Sequence, residues 1–240
     1  RVASRGLGDV YKRQHLSYII QKILNKKQVE DVKRYLDKCQ WDDGLDTVDG
    51  GGSHTIKKNK EASEQIGSGY QDACSTIFRN LEYSVEYADF CVPTNSGPII
   101  FSKTTTGGYY KPHHDHYTHG HYSNTLFLSD SSEYEGGELC LFVDQRVEKI
   151  KLEAGMMITY DCGIPHQVST VTSGERNVAV FWTESQYNDK RLRQIHSDVV
   201  KACRILGPAK TFDTIEESQE DPRFILEQVI NNLGRLNENW

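Results

Sequence analysis

Several absences narrow what this chain can be. No apolar run approaches the roughly 20 residues that cross a bilayer as a helix, so no membrane partner is expected. Lysine and arginine (28) are outnumbered by aspartate and glutamate (34), leaving a formal charge of −6. A broad basic footprint for nucleic acid or anionic lipid is therefore missing, and no nucleic-acid partner is expected. The six cysteines, at positions 39, 74, 91, 140, 162 and 203, contain no C-x-x-C pair and are widely and unevenly spaced. A positively charged start, an apolar core and a small-residue cleavage site are also absent. Scattered reduced thiols and a cytoplasmic location are expected rather than a disulfide framework. There is no internal repeat.

What remains is an ordinary globular composition. With 240 residues, 37% hydrophobic and 26% charged, the chain can bury a sizeable core in one large domain, or one domain with a helical annex. Residues Arg1–Gln14 (RVASRGLGDVYKRQ) contain no initiating Met and resemble translated adaptor sequence; residues 1–14 read as a non-native or disordered segment and are set aside.

The apolar pattern then divides the chain into three. Residues 15–92 read as a helical region packed on the core. Ile19, Ile20, Ile23, Val29, Val32 and Leu36 recur at near-helical spacing over Leu16–Cys39, and Ile66, Tyr70, Ile77 and Leu81 do so over Ser63–Tyr83. The glycines Gly50, Gly51 and Gly52 mark a loop between them.

Residues 93–185 change character. Short segments rich in Ile, Val, Thr, Tyr and Phe run over Pro98–Ser102, Ser123–Leu128, Glu138–Val143, Val147–Leu152, Met156–Tyr160, Gln167–Val171 and Asn177–Thr183, punctuated by Gly- and Asn-containing turns. No helix-length insert separates them, so a sandwich or jelly roll is expected rather than an α/β sheet. Residues 186–240 return to helix, over Asp189–Leu206 and Pro222–Leu236. The fold class is thus a mainly β core with flanking helices.

Chemistry concentrates in that core. Five of the nine histidines, His113, His114, His116, His119 and His121, fall within nine positions that also hold Asp115. A solvated polar loop would account for them alone. However, His166 follows Asp115 by 51 residues, at the start of another expected strand. Residues at i and i+2 of an extended segment point the same way, so His113 and Asp115 can face one metal while His166 closes a third position. Two imidazoles and a carboxylate on one face leave the opposite face of an octahedral Fe(II) open for a cosubstrate and O₂. Arg176 lies ten positions past His166 among Val178, Val180 and Phe181. A desolvated guanidinium needs an anion, and its planar fork matches a carboxylate. That anion is either the far end of a dicarboxylate chelating the metal or a structural partner such as Glu138 or Glu175.

Four strings carry a family resemblance. LNKKQVEDVKRYLDKCQWDDG with IKKNKE, then NTLFLSDSSEYEGGELCL, then KLEAGMMITYDCGIPHQVSTVTSGERNVAVFWTES, and finally VINNLGRLNENW resemble the PKHD-type hydroxylases. These are prolyl-4-hydroxylase-like Fe(II)/2-oxoglutarate dioxygenases. The resemblance implies a double-stranded β-helix, with His113, Asp115 and His166 as iron ligands and Arg176 as the 2-oxoglutarate anchor. It further implies hydroxylation of an unactivated C–H, on a prolyl or other peptide side chain or a small molecule. Decarboxylation of 2-oxoglutarate to succinate accompanies it, with O₂ as cosubstrate and L-ascorbate as reductant.

The chain departs from the family in having Thr104 where an aromatic residue is usual, and in its extra histidines. A non-catalytic metal-binding jelly-roll module and a zinc hydrolase are the rival readings; a zinc hydrolase gives no reason for Arg176. Around the site, Gly136 and Gly137 are expected to serve a tight turn, and Glu138 a structural role. Tyr160 and Asp161 are candidates to orient His166 by a hydrogen bond, Trp182 is expected in the core, and Cys162 is a thiol of unknown exposure near the metal.

Overall fold

A computed structural model describes residues 17–47, 55–63 and 67–236. The segment 1–14, the Gly50–Gly52 loop and the last four residues of the closing string lie outside the described residues. The chain opens with strand β1 (Tyr18–Lys22), helix α1 (Lys26–Leu36) and short strands β2 (Asp42–Asp43), β3 (Lys57–Lys58) and β4 (Lys60–Ala62). Helices α2 (Ser68–Leu81) and α3 (Val85–Cys91) follow. Ten strands come next: β5 (Pro93–Ser96), β6 (Ile100–Thr105), β7 (Tyr109–His113), β8 (Tyr122–Phe127), β9 (Tyr134–Gly136), β10 (Leu139–Val143), β11 (Arg146–Ile150), β12 (Met156–Asp161), β13 (His166–Val168) and β14 (Val171–Ser185). Helices α4 (Lys190–Ile205), α5 (Ile215–Gln219) and α6 (Pro222–Leu236) end the described chain. None of these helices is long and apolar enough to cross a membrane.

The strands form two antiparallel sheets. The larger runs β1-β12-β8-β14-β6-β4-β2, with β5 and β9 also paired to β14, and the smaller runs β11-β10-β13-β7-β3. Phe127, Ile158, Tyr160 and Val178 of the larger sheet meet Leu139, Leu141, Val143 and Ile150 of the smaller in a buried core. Each such side chain contributes about 1.5–3 kcal/mol on leaving water. This is the expected jelly roll.

A second core lies on the outer face of the larger sheet, under α1, α2 and α3, and includes Val32, Ile77, Phe101, Leu126, Ala179 and Phe181. The two-residue period of a strand explains how one sheet serves both sides. Along β14, Ala179 and Phe181 face the helices, while Arg176, Val178, Val180 and Trp182 face a cavity between the sheets. Along β6, Phe101 faces the helices and Ile100, Ser102 and Thr104 the cavity.

The first expected helix, Leu16–Cys39, is corrected. Ile19 and Ile20 belong to β1, where they pair with Thr159 and Ile158 of β12, and Ile23 follows the strand. The helix starts only after Asn25, whose side chain accepts from the Gln28 N–H at 3.0 Å, while Gln28 Oε1 accepts from the Asn25 N–H at 2.8 Å. Such a capping box satisfies two donors that would otherwise be orphaned at the helix start. The second helix begins at Ser68 rather than Ser63.

Candidate metal centre and cosubstrate cavity

His113 ends β7 and His166 begins β13, and the two are directly opposed in the antiparallel pairing of these strands. Asp115 follows just beyond the end of β7. Together they are the described cluster able to hold a metal ion, with ligand atoms within 4.8 Å of one another. His166 Nε2 lies 3.7 Å and His113 Nε2 4.0 Å from Asp115 Oδ1. His114 is exposed whereas His113 and Asp115 are largely buried, the alternation expected of i and i+2.

Hydrogen bonds decide which atoms face inward. The His113 Nδ1 lies 2.8 Å from the Lys111 carbonyl and the His166 Nδ1 3.0 Å from the Ile164 carbonyl. A carbonyl only accepts, so each Nδ1 carries the proton and each Nε2 lone pair is left for a metal. Burial pulls the His113 pKa down to about 4, with the neighbouring His166 adding to the shift. The ring is therefore in its neutral, metal-binding form near pH 7. The Ser123 hydroxyl donates to Asp115 Oδ2, leaving Oδ1 turned toward both histidines. Two imidazole nitrogens and one carboxylate oxygen on one side, with open cavity on the other, fit Fe(II).

The cavity, ≈ 590 Å³, is lined by the triad at one point and by Arg176 at another, with Thr104, Thr125, Leu139, Val168 and Val178 among the walls. Arg176 is 2% exposed, and among the described residues its guanidinium makes no ion pair. Its Nε is buried without a hydrogen-bond partner, as is the Tyr134 hydroxyl. Burial lowers the Arg176 pKa, partly opposed by the neighbouring Tyr134 and Tyr160. The guanidinium carbon sits 5.4 Å from the centroid of the Phe127 ring.

Neither structural partner considered for Arg176 is used. Glu138 accepts from the Ser169 hydroxyl, and Glu175 accepts from Asn177 Nδ2 at 2.9 Å. Thr104 is the residue opposite Arg176 on β6, so the small side chain leaves the guanidinium accessible from the cavity. An isolated buried cation is costly unless an anion joins it. A dicarboxylate spanning from the metal to this guanidinium fits the space and the charge.

Comparison with known proteins matches residues 99–184, which contain the triad and Arg176, to the 2OG-Fe(II) oxygenase superfamily. A PKHD-type hydroxylase of Acidovorax ebreus is 31% identical over 231 residues, covering 90% of this chain and 96% of the relative. The chain belongs to the PKHD-type hydroxylase family. A second such hydroxylase, from Pseudoalteromonas atlantica, is 32% identical over 186 residues, 72% of this chain and 81% of its own.

Solved structures show the shared fold. A Pseudomonas putida prolyl-4-hydroxylase superposes with a TM-score of 0.54 at 17% identity, covering 70% of this chain and 92% of its own. A Trichoplax adhaerens prolyl hydroxylase, solved with a hypoxia inducible factor oxygen degradation domain peptide fragment, gives 0.59 at 15% identity, covering 74% and 86%. As a PKHD-type hydroxylase, the protein is a 2-oxoglutarate-dependent, non-haem iron dioxygenase that uses Fe(II), 2-oxoglutarate and O₂.

In this PKHD-type hydroxylase the other histidines of the His113–His121 cluster have ordinary duties or line the cavity. His121 is structural: Nδ1 accepts from the Ser185 N–H at 2.9 Å and Nε2 meets Asn188 Oδ1 at 3.1 Å. His116 meets the Thr118 hydroxyl at 2.8 Å, and His119 stacks on Trp182 with centroids 4.5 Å apart. Trp182 is corrected from core to cavity wall, since its position on β14 shares the face of Arg176.

Tyr160 and Asp161 do not supply the bond that orients His166. Tyr160 packs edge-on against its ring at 5.3 Å, and Asp161 accepts from the Gly163 N–H. Cys162 is buried, and that burial raises its thiol pKa to about 11, which keeps it in the unreactive protonated form. All six cysteines are free.

Sequence reasoning missed Tyr134, which lies beside Arg176, and the buried Lys57–Glu61 pair in the cavity wall. The signal for Tyr134 was its place three residues before Gly137. Gly136 and Gly137 take φ of +67° and +65°, and a Cβ on Gly137 would lie 3.1 Å from Tyr134 Cε2 and 3.2 Å from Arg176 Cδ. The turn is therefore where the arginine stem and the tyrosine ring pass each other.

Proposed function

We propose that His113, Asp115 and His166 hold the catalytic Fe(II) and that Arg176 takes the distal carboxylate of 2-oxoglutarate. The observation that carries the reading is a fully buried guanidinium, without an anion among the described residues, in the wall of the same cavity as the triad. The bound metal supplies O₂ activation coupled to decarboxylation of 2-oxoglutarate, giving succinate and CO₂, with L-ascorbate as reductant. The protein's own groups do the rest. Nε2 of both histidines and Oδ1 of Asp115 fix the metal on one side, and Ser123 holds the carboxylate in place. Leu139, Val168 and Val178 enclose the methylenes of the cosubstrate and exclude water from its length.

The substrate is an uncharged group. Besides the triad and Arg176, the cavity is walled by Ile56, Ile100, Tyr109, Tyr110, Val180 and Trp182. The two charged side chains there, Lys57 and Glu61, already pair with each other at 2.9 Å. With Arg176 balanced by 2-oxoglutarate, no unmatched charge awaits a charged side chain. A prolyl or similar uncharged side chain of a peptide fits this wall, as the prolyl hydroxylase neighbours suggest, and the free thiols fit a cytoplasmic setting. The test is succinate formation with Fe(II), 2-oxoglutarate, ascorbate and a panel of proline-containing peptides, read together with gain of one oxygen by a peptide. A vestigial binding module would give no succinate with any member of the panel, and a zinc hydrolase would be activated rather than inhibited by Zn(II).

A further inference from the structure

A line of contacts that the proposed chemistry does not use reaches His113 along the cavity wall. The Tyr110 ring lies flat against the His113 imidazole, centroids 3.6 Å apart and planes 16° apart. Lys57 Nζ stands 5.1 Å from the centroid of the same tyrosine ring. Lys57 is held in turn by Glu61 Oε1 at 2.9 Å, with the two side chains only 4% and 7% exposed. Asn59 Nδ2 donates to Glu61 Oε1 at 2.7 Å and to the Ser102 hydroxyl at 2.8 Å.

The backbone explains the alignment. Lys57 is opposite Tyr110 in the pairing of β3 with β7, and Glu61 is opposite Ser102 in the pairing of β4 with β6. The ion pair thus ties the sheet that carries His113 to the sheet that carries Arg176.

We propose that Tyr110, clamped by the buried Lys57–Glu61 pair, is a positioning residue that sets the plane of His113 and thereby the metal affinity of the centre. The inference rests on the assignment of His113 as a ligand. A single Nδ1–H···O bond to Lys111 leaves an imidazole free to swing about that bond. A flat ring stacked on its face removes the swing, and a desolvated ammonium beside the tyrosine holds that ring in turn. His166 has a different support, the edge of Tyr160. The two ligands are therefore unequally dependent on their neighbours, and His113 depends on the clamp.

The experiment compares wild type, Tyr110→Phe, Tyr110→Leu and Lys57→Met in anaerobic Fe(II) and Mn(II) titrations by calorimetry. The absorption band formed by Fe(II) with 2-oxoglutarate is recorded in parallel. Tyr110→Leu fills the space without a flat face and is expected to weaken metal binding about 10-fold or more, the usual effect of removing an outer partner of a ligand. It should also shift the band, while 2-oxoglutarate affinity at saturating metal stays near wild type because Arg176 is untouched. Tyr110→Phe keeps the face and should keep the affinity; Lys57→Met should fall between. Wild-type metal affinity in Tyr110→Leu, or equal losses in Tyr110→Phe and Tyr110→Leu, overturns the proposal. If Tyr110→Leu does not fold, Lys57→Met decides, and an unchanged affinity and band there overturn it equally. Failure of wild-type protein to form the band at all would instead count against the ligand assignment beneath it.

Discussion

Replacing Arg176 by methionine should separate two quantities that usually move together, ligand affinity and stability of the fold. The guanidinium is 2% exposed and sits 5.4 Å from the Phe127 centroid, with no anion from the described residues. Breaking a buried pair by removing one member costs about 3–5 kcal/mol. The variant should therefore bind 2-oxoglutarate about two to four orders of magnitude more weakly. Metal affinity should be kept, because Arg176 touches none of the triad.

The sign for the ligand-free fold is the reverse. There the cation is buried and uncompensated, and exchanging a buried charge for an apolar side chain of similar volume is often neutral or stabilising. Ligand-free Arg176→Met should consequently melt no lower than wild type. With Mn(II) saturating in both proteins, further addition of 2-oxoglutarate at about 100 times its wild-type Kd should stabilise wild type by about 2.7 kcal/mol more and the variant hardly at all. Thermal melts with and without ligand, beside an anaerobic 2-oxoglutarate titration of the Fe(II) protein, measure both quantities. A variant with wild-type 2-oxoglutarate affinity, or one that loses metal as severely as cosubstrate, would refute the reasoning.

Two further outcomes test the site. Alanine at His113, Asp115 or His166 should abolish Mn(II) binding in calorimetry, whereas His114→Ala should leave it nearly intact; the opposite ranking would reassign the first ligand. Gly137→Ala imposes a side chain at a φ of +65° and 2.9 Å from Val171 Cγ2. It should lower stability in urea by about 1–3 kcal/mol and weaken 2-oxoglutarate binding by displacing the arginine stem, with metal affinity unchanged.

The chemistry of the site was legible because its residues are polar in places where polarity needs an explanation. Arg176 stands out in an apolar strand, and His113 and Asp115 keep the two-residue spacing of an extended chain. The terminal helices were legible for a similar local reason: Asp189 accepts from the Arg191 N–H at 2.8 Å and starts α4 where the periodicity begins. Strand β7 was not legible, although it carries His113. YYKPH contains a proline and a lysine and lacks alternation, because the partner strand β3 pairs only with Tyr109 and Tyr110. Strand β1 reads as helix in the sequence because Ile19, Ile20 and Ile23 suit either period, and only the distant β12 selects between them. The buried pair Lys57–Glu61 was invisible for a different reason. Charged residues four apart look solvated in a sequence, and their burial follows from strands more than forty residues downstream, β6 and β7.

Strand β14 also acts as a ruler. Arg176 and Trp182, both in the cavity wall, are six residues apart on one face of the strand, about 20 Å at the usual rise. The separation between these two side chains is therefore set by the covalent backbone rather than by side-chain packing, and it changes only in steps of two residues. A single inserted residue would carry one end of the strand to the opposite face, turning Trp182 toward the helices and Phe181 or its neighbour toward the cavity. Reach can be varied within this scaffold only in strides of about 7 Å, so smaller adjustments to the length of what it accepts must come from the strands and loops facing β14.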